Sequence, residues 1–438
     1  MKGIRARGRG IGQWLTRRAG WCLAVSLALH VLAVATHPTE PLDLRVYHGA
    51  APHLLSGGLY DYAVHTGPPI PLLPFTYPPF AALVFLPLSC LPWPAAVVLW
   101  QVVSVGALLV VAGCAVRLLR PRPGGGARNP ALLWSAVGLW LEPVRHTLDQ
   151  GQVNLVLGAV VVHGLAVPRA AAARGAAVGL AAAVKLTPAV GGLYLLVNRQ
   201  WRAAAWAAGT GVAATVLTWC VAPGESARYW SALVTDTRRI GPVWSVRNQS
   251  LRGAAERLLG QGVAASVAWW AVLVLVTLLA AAALLSAARR RDRLGVLVGA
   301  ELYGLLVCPV SWSHHWIWCL PAMIWLVHGP YRRHLLGRLA LAAWALAAAG
   351  RVVPLLIRAE DHLAHPSPYP ALLAWAGCVY ALCAVLTLLA PALGAVRDEA
   401  GHAREHRYHG GHGGLAGAGA GAGAVRSRDR AGDGSAPP

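Results

Sequence analysis

Only two lysines stand among the 38 basic residues of this chain, and one of them, Lys185, sits inside an otherwise apolar stretch running from Gly175 to Val190. A charge at membrane depth costs several kcal/mol, so one that persists usually faces a polar cavity. Lys185 therefore reads as a cation turned toward a phosphate, against the plainer reading of an ammonium snorkelling to an interface. The run Cys308-Pro309-Val310-Ser311-Trp312-Ser313-His314-His315-Trp316 supplies a second set of groups. Tryptophan is the usual anchor at a membrane interface. Adjacent histidines are not, and imidazole donates hydrogen bonds to a phosphate or a sugar hydroxyl near neutral pH. Glu142, Arg145, His146, Asp149, Gln152 and Asn154 form a polar break between two apolar blocks. They either line a cavity or make an ordinary hairpin loop. Asp43 lies a few residues past the first apolar block, and by itself reads as a solvated loop carboxylate.

The composition says what kind of scaffold must position these groups. Hydrophobic residues make up 56% of the 438 and charged residues only 13%, against about 25% charged in ordinary globular proteins. A soluble protein is excluded on that ground. The apolar residues come in blocks of roughly 17 to 25, the length an α-helix needs to cross about 30 Å of hydrocarbon. The expected fold is an all-α polytopic integral membrane protein. Blocks lie near 20–36, 76–91, 94–118, 130–143, 153–167, 175–197, 203–222, 263–286, 294–309, 316–328, 339–357 and 370–391. Strict alternation fails if all the basic connectors are cytoplasmic, so about 10–13 membrane segments are expected. One of the blocks 76–91 and 94–118 is expected to be re-entrant. The stretch 175–197 is expected to be a V of two short helices bent at Thr187-Pro188, because proline removes a helix donor and restricts the residue before it.

A net charge of +21 would suit a nucleic-acid binder, but its distribution does not. The arginines gather in short connectors and in the tails, as in loops that face the cytoplasm. No nucleic-acid partner is expected. Arg5, Arg7, Arg9, Arg17 and Arg18 precede the first block, which holds residues 1–19 in the cytoplasm and sends an uncleaved first helix outward. Segments 37–75 and 223–262 then fall outside. Residues 396–438 are His-, Gly- and Ala-rich and are expected to be a disordered cytoplasmic tail, in which His402, His406, His409 and His412 are solvated. The eight cysteines show no CxxC spacing, and read as small buried hydrophobes rather than a metal or redox site.

Six short segments follow one another in a recognisable order: Asp43-Leu44-Arg45-Val46-Tyr47, Phe75-Thr76-Tyr77-Pro78-Pro79-Phe80, Gly151-Gln152-Val153-Asn154-Leu155, Lys185-Leu186-Thr187-Pro188, Arg247-Asn248-Gln249-Ser250-Leu251-Arg252 and Ser311-Trp312-Ser313-His314-His315-Trp316. Together they resemble the actinobacterial polyprenol-phosphate-mannose-dependent α-(1→2)-mannosyltransferases, glycosyltransferase family 87 within the GT-C superfamily of integral-membrane sugar transferases. The resemblance covers roughly residues 20–395. It implies a GT-C-type helical bundle in the plasma membrane. It also implies a lipid-linked co-substrate, polyprenyl phosphate β-D-mannose, and transfer to a hydroxyl of a glycolipid or lipoglycan on the outer face.

In such enzymes an aspartate of the first external loop is the general base, and Asp43 matches that position. A β-linked donor and an α-linked product mean inversion, which needs one carboxylate to take the acceptor proton. The carboxylate pair of glycoside hydrolases is not required. Charge develops on the departing phosphate, and Lys185, Arg252, His314 and His315 are the candidates to meet it. Tyr77, Gln152, Asn154, Asn248 and Gln249, from the same motifs, are expected to bind donor or substrate. Some GT-C enzymes hold a divalent metal on an Asp-x-Asp pair, but Leu44 and Arg45 follow Asp43 here. No metal and no other cofactor is therefore expected. Two other readings stand beside this one. An arabinofuranosyl donor on the same lipid phosphate is one, and a non-enzymatic lipid transporter is the other, although no paired broken helices mark internal repeats.

Overall fold

The computed structural model describes residues 14, 16–67, 72–119, 128–167, 170–363 and 369–394. The basic segment before Trp14, the connector 120–127 and the tail 396–438 with its histidines lie outside the described residues. The chain enters through α1 (Ala19–Thr36), which holds no acidic residue. The described part of segment 37–75, which the sequence expects outside, is folded. It contains α2 (Leu42–Ala50), a helical turn at His53–Ser56, and an antiparallel hairpin of β1 (Ala63–His65) and β2 (Leu72–Pro74) with Val64 opposite Leu73. Then come α3 (Pro79–Ser89) and α4 (Trp93–Leu119). At 1.5 Å per residue α3 is about 16 Å long, too short to cross a bilayer unaided.

Beyond the connector lie α5 (Arg128–Gly138), α6 (Glu142–Gln150), α7 (Asn154–Ala166), α8 (Ala171–Val184), α9 (Gly191–Val197) and α10 (Trp201–Val221). The second half holds α11 (Leu251–Leu259), α12 (Val263–Arg289), α13 (Arg293–Val307), α14 (Cys319–His328), α15 (Leu335–Trp344), α16 (Val352–Asp361), α17 (Ala371–Ala376) and α18 (Val379–Gly394). Each apolar block of the sequence is thus a helix or a broken helix. Among the described residues, α1, α4, α10 and α12 are long and apolar enough to cross a membrane singly. α15 and its continuation to Ala349 meet α16 at a bend of 51°.

Large apolar side chains cover the outside, as with Val263 at 81% exposed and Trp21 at 73%. Patches of this extent would aggregate in water; in lipid they are the expected surface, because tails are as apolar as leucine. Contact between helices then relies on close approach of small residues. Gly175 and Gly179 of α8 show this: a Cβ on either would stand 2.1 Å from the Ala203 carbonyl or 2.3 Å from the Ala207 carbonyl of α10.

Candidate active site

Asp43 is brought into the interior by a glycine. α6 starts with Pro143 in its first turn, where a missing N–H costs nothing, and ends at Gly151, which takes left-handed φ = 64°. That conformation favours glycine. Space demands glycine as well, since a Cβ there would lie 2.6 Å from Leu44 Cβ and 3.0 Å from Pro41 Cβ. Gly151 thereby lets α2 lie against the turn, and the next residue, Gln152, reaches Asp43. Gln152 Nε2 donates to Asp43 Oδ2 at 3.0 Å. Its Oε1 accepts from the Val153 backbone N–H at 2.9 Å and from the hydroxyls of Tyr47 at 2.7 Å and Tyr77 at 3.0 Å. Three donors on one oxygen fix which end of the amide faces Asp43.

Lys185 stands where α8 breaks. Its backbone is extended, at φ = −149° and ψ = 131°, and Thr187-Pro188 open the 3₁₀ turn that follows. The stretch 175–197 is interrupted as expected, with its break at Lys185-Leu186, one step earlier than Thr187-Pro188. Leaving the helix turns Lys185 inward. Its Nζ donates to Asn154 Oδ1 at 2.8 Å and to His315 Nε2 at 3.2 Å, and lies 5.3 Å from the centre of the Tyr77 ring.

His314 and His315 begin a 3₁₀ turn, Ser313–Trp318, anchored from two sides. Thr147 Oγ1 and Asn154 Nδ2 both donate to the His314 carbonyl, at 2.8 and 3.0 Å. The other anchor is the 247–250 segment. Gln249 N–H donates to the Ser311 carbonyl at 2.8 Å, and Asn248 Oδ1 accepts from the Ser311 N–H at 2.9 Å. Asn248 Nδ2 goes to the carbonyls of Val243 and Pro309, and Gln249 Nε2 to those of Val246 and Gly377. Both side chains are fully buried and spend their donors on backbone. The structure therefore places Asn248 and Gln249 behind the site, where they shape the histidine loop and touch no ligand space.

Arg252 also stays out of the cavity. It pairs with Glu256 at 2.7 Å on the next helical turn and stacks at 5.3 Å over Trp269. The arginine that does serve this region is Arg257, which is 2% exposed and donates to the carbonyls of Ser245, Asn248 and Gly377. Nothing in the sequence separates the two, because both follow the same motif on one short helix.

Asp43, Tyr77, Gln152, Lys185, His314 and His315 line one cavity of about 440 Å³, within the range of small-molecule sites. Tyr47, His146, Gln150 and Arg239 join them. Tyr47 was findable, being one helical turn from Asp43 and so on the same face. The polar break 142–154 divides its labour. His146 and Gln150 reach the cavity, whereas Glu142 is buried and accepts from Ser313 Oγ at 2.9 Å and Tyr380 OH at 2.5 Å. Arg145 pairs with Asp149 at 3.2 Å.

Burial pushes the Asp43 carboxyl up to about 6, opposed by the charges of Lys185 and His146 and the hydrogen bond from Gln152. Such a group is ionised at neutral pH and basic enough to take a proton. Burial, with help from neighbouring cations, holds His314 and His315 well below the usual histidine range. Both imidazoles are then neutral. An ammonium has no lone pair, so His315 Nε2 accepts from Lys185 and its proton lies on Nδ1. His314 Nε2 likewise takes a long contact, 3.4 Å, from Gln152 Nε2. Among the described residues no group of three His, Cys, Asp or Glu stands close enough to hold a metal ion.

A helical membrane protein that sets the Asp43 carboxylate, Lys185 and the imidazoles of His314 and His315 around one cavity is equipped to transfer a group from an anionic leaving site to a hydroxyl. The chain belongs to glycosyltransferase family 87, which its residues 75–311 match. It is 40% identical, over 85% of its own length and 91% of the relative's, to the polyprenol-phosphate-mannose-dependent α-(1-2)-phosphatidylinositol pentamannoside mannosyltransferase of Mycolicibacterium smegmatis. A Mycobacterium tuberculosis relative, named as the corresponding phosphatidylinositol mannoside mannosyltransferase, is 36% identical over 77% of this chain and 82% of its own. The chain is accordingly a glycosyltransferase, and the non-enzymatic reading is set aside. ArnT from Cupriavidus metallidurans in the apo state is similar over 86% of this chain and 78% of its own, with 15% identity and a TM-score of 0.36, a likeness too distant to give any residue a role.

Proposed function

We propose that this protein moves mannose from polyprenyl phosphate mannose to a hydroxyl of a phosphatidylinositol mannoside glycolipid, forming an α-(1→2) linkage at the outer face of the plasma membrane, with Asp43 as general base. The observation that carries the reading is the placement of Asp43 and Lys185 on one cavity, joined through Gln152 and Tyr77. Asp43 takes the proton of the acceptor hydroxyl as that oxygen attacks the anomeric carbon. The bond from that carbon to the phosphate oxygen breaks, and its electron pair leaves with the polyprenyl phosphate. Lys185 meets the charge that develops there, beside His314 and His315. A single base with a cation opposite fits inversion of a β-linked donor. The names of the relatives support mannose over arabinofuranose and a phosphatidylinositol mannoside over other lipoglycans.

The test supplies membranes carrying this chain with radiolabelled polyprenyl-phosphate mannose and, separately, with the arabinofuranosyl donor, together with a phosphatidylinositol mannoside acceptor. Label from mannose alone in a glycolipid sensitive to an α-1,2-mannosidase is the expected result. Transfer from the arabinose donor, or none from either, removes the proposal.

A further inference from the structure

α13 carries a carboxyl that the mechanism above does not use. Glu301 is 3% exposed in the middle of an apolar helix, and its Oε1 has no hydrogen-bond partner. An ionisable group retained inside a membrane helix usually serves a polar site. A narrow void of about 30 Å³ lies beside it, lined among others by Asn154, Thr187, Glu301 and His315. His315 lines both this void and the main cavity. Its Nδ1, which bears the proton when Nε2 accepts from Lys185, is also buried and without a partner. Two orphaned polar atoms of opposite need, one acceptor and one donor, thus belong to residues on the same void. Roughly 10–15 Å³ of such space holds one water, and buried waters bridge groups of this kind.

We propose that Glu301 is a positioning residue for donor binding. A water in the void accepts from His315 Nδ1–H and donates to the Glu301 carboxyl, which fixes the tautomer whose Nε2 faces Lys185. With two of its protons directed to His315 and Asn154, the ammonium keeps the third for the donor phosphate. The arrangement parallels the outer carboxylates that set histidine tautomers at metal sites, whose loss costs about 10- to 100-fold in affinity. The inference rests on the reading of Lys185 as the phosphate-binding group.

The experiment compares Glu301→Leu, Glu301→Ala and Glu301→Gln with Lys185→Ala and His315→Ala, measuring donor KM, kcat, labelling by a photoreactive polyprenyl-phosphate analogue, and the melting temperature in detergent. Either apolar variant that melts like the wild type should raise donor KM about tenfold and label poorly. Glu301→Gln, whose amide oxygen still accepts from the water, should stay within about threefold of wild type. In a His315→Ala background, removal of Glu301 should add nothing, because both act through one chain. A purely structural glutamate predicts a lowered melting temperature, no rescue by glutamine, and losses that multiply with His315→Ala; that outcome overturns the proposal. If Lys185→Ala itself labels normally, the phosphate reading falls. If Lys185→Ala labels poorly while a folded Glu301→Leu or Glu301→Ala labels well, only the role of Glu301 falls.

Discussion

Gln152 donates its amide proton to Asp43 across 3.0 Å, although 109 residues separate them in the chain. The same amide receives two tyrosine hydroxyls and its neighbour's N–H on its oxygen, so it cannot rotate away without losing several bonds at once. The carboxylate is therefore held by a group that is itself held. One Asp43 oxygen is engaged, and the residue still lines the cavity where an acceptor hydroxyl would come.

Asp43→Asn keeps the shape of the side chain but removes its basicity. Turnover should fall by about a hundredfold or more, while donor binding persists. Single-turnover rates and photo-crosslinking of a polyprenyl-phosphate analogue read the two quantities separately. Near wild-type turnover would move the base to another carboxylate, and Asp236 also lines the cavity.

The pH profile follows from the direction of the Asp43 shift. Burial raises this carboxyl to about 6, and only its ionised form accepts a proton. kcat/KM should drop about tenfold per unit below that pH. The Lys185 charge pulls the value down, so Lys185→Ala should move the acidic limb to higher pH. A limb that stays in place in this variant would mean that another group titrates.

Lys185→Ala and His314→Ala remove groups that meet a phosphate bound before the reaction and more charged during it. Both should raise donor KM and lower kcat together, each by about tenfold or more. The analogue should label Lys185→Ala poorly and Asp43→Asn normally. Equal labelling of the two variants contradicts the division of labour.

Metal independence is open to direct trial. Activity in washed membranes should survive EDTA. Loss of activity that Mn²⁺ or Mg²⁺ restores would reveal carboxylates assembling a site around the substrate.

Topology can be read by labelling. Ser56 and Ser231 are both exposed and lie in the two segments expected outside. Single cysteines at these positions in a cysteine-free background should react with a membrane-impermeant maleimide in intact cells. Protection of both would place the cavity on the cytoplasmic side.

Much of this protein is written locally in its sequence. Helices arise wherever apolar residues run long enough to cover hydrocarbon, because a backbone in lipid must satisfy its own hydrogen bonds. The break at Lys185 was legible for a similar reason, since proline forbids the helix to continue. The chemistry of Asp43 and of the paired histidines could be suspected from residue type and from the order of the motifs. Which motif residues face the cavity could not. Asn248, Gln249, Arg252 and Arg257 share one short stretch, and only packing sends the first two to backbone carbonyls, the third to Glu256 and the fourth into the interior. The role of Gly151 was equally hidden, because the atoms that exclude a side chain there belong to Pro41 and Leu44. Side-chain direction, and the partner that consumes each donor, depend on elements far apart in the chain. Those are decided when the helices pack.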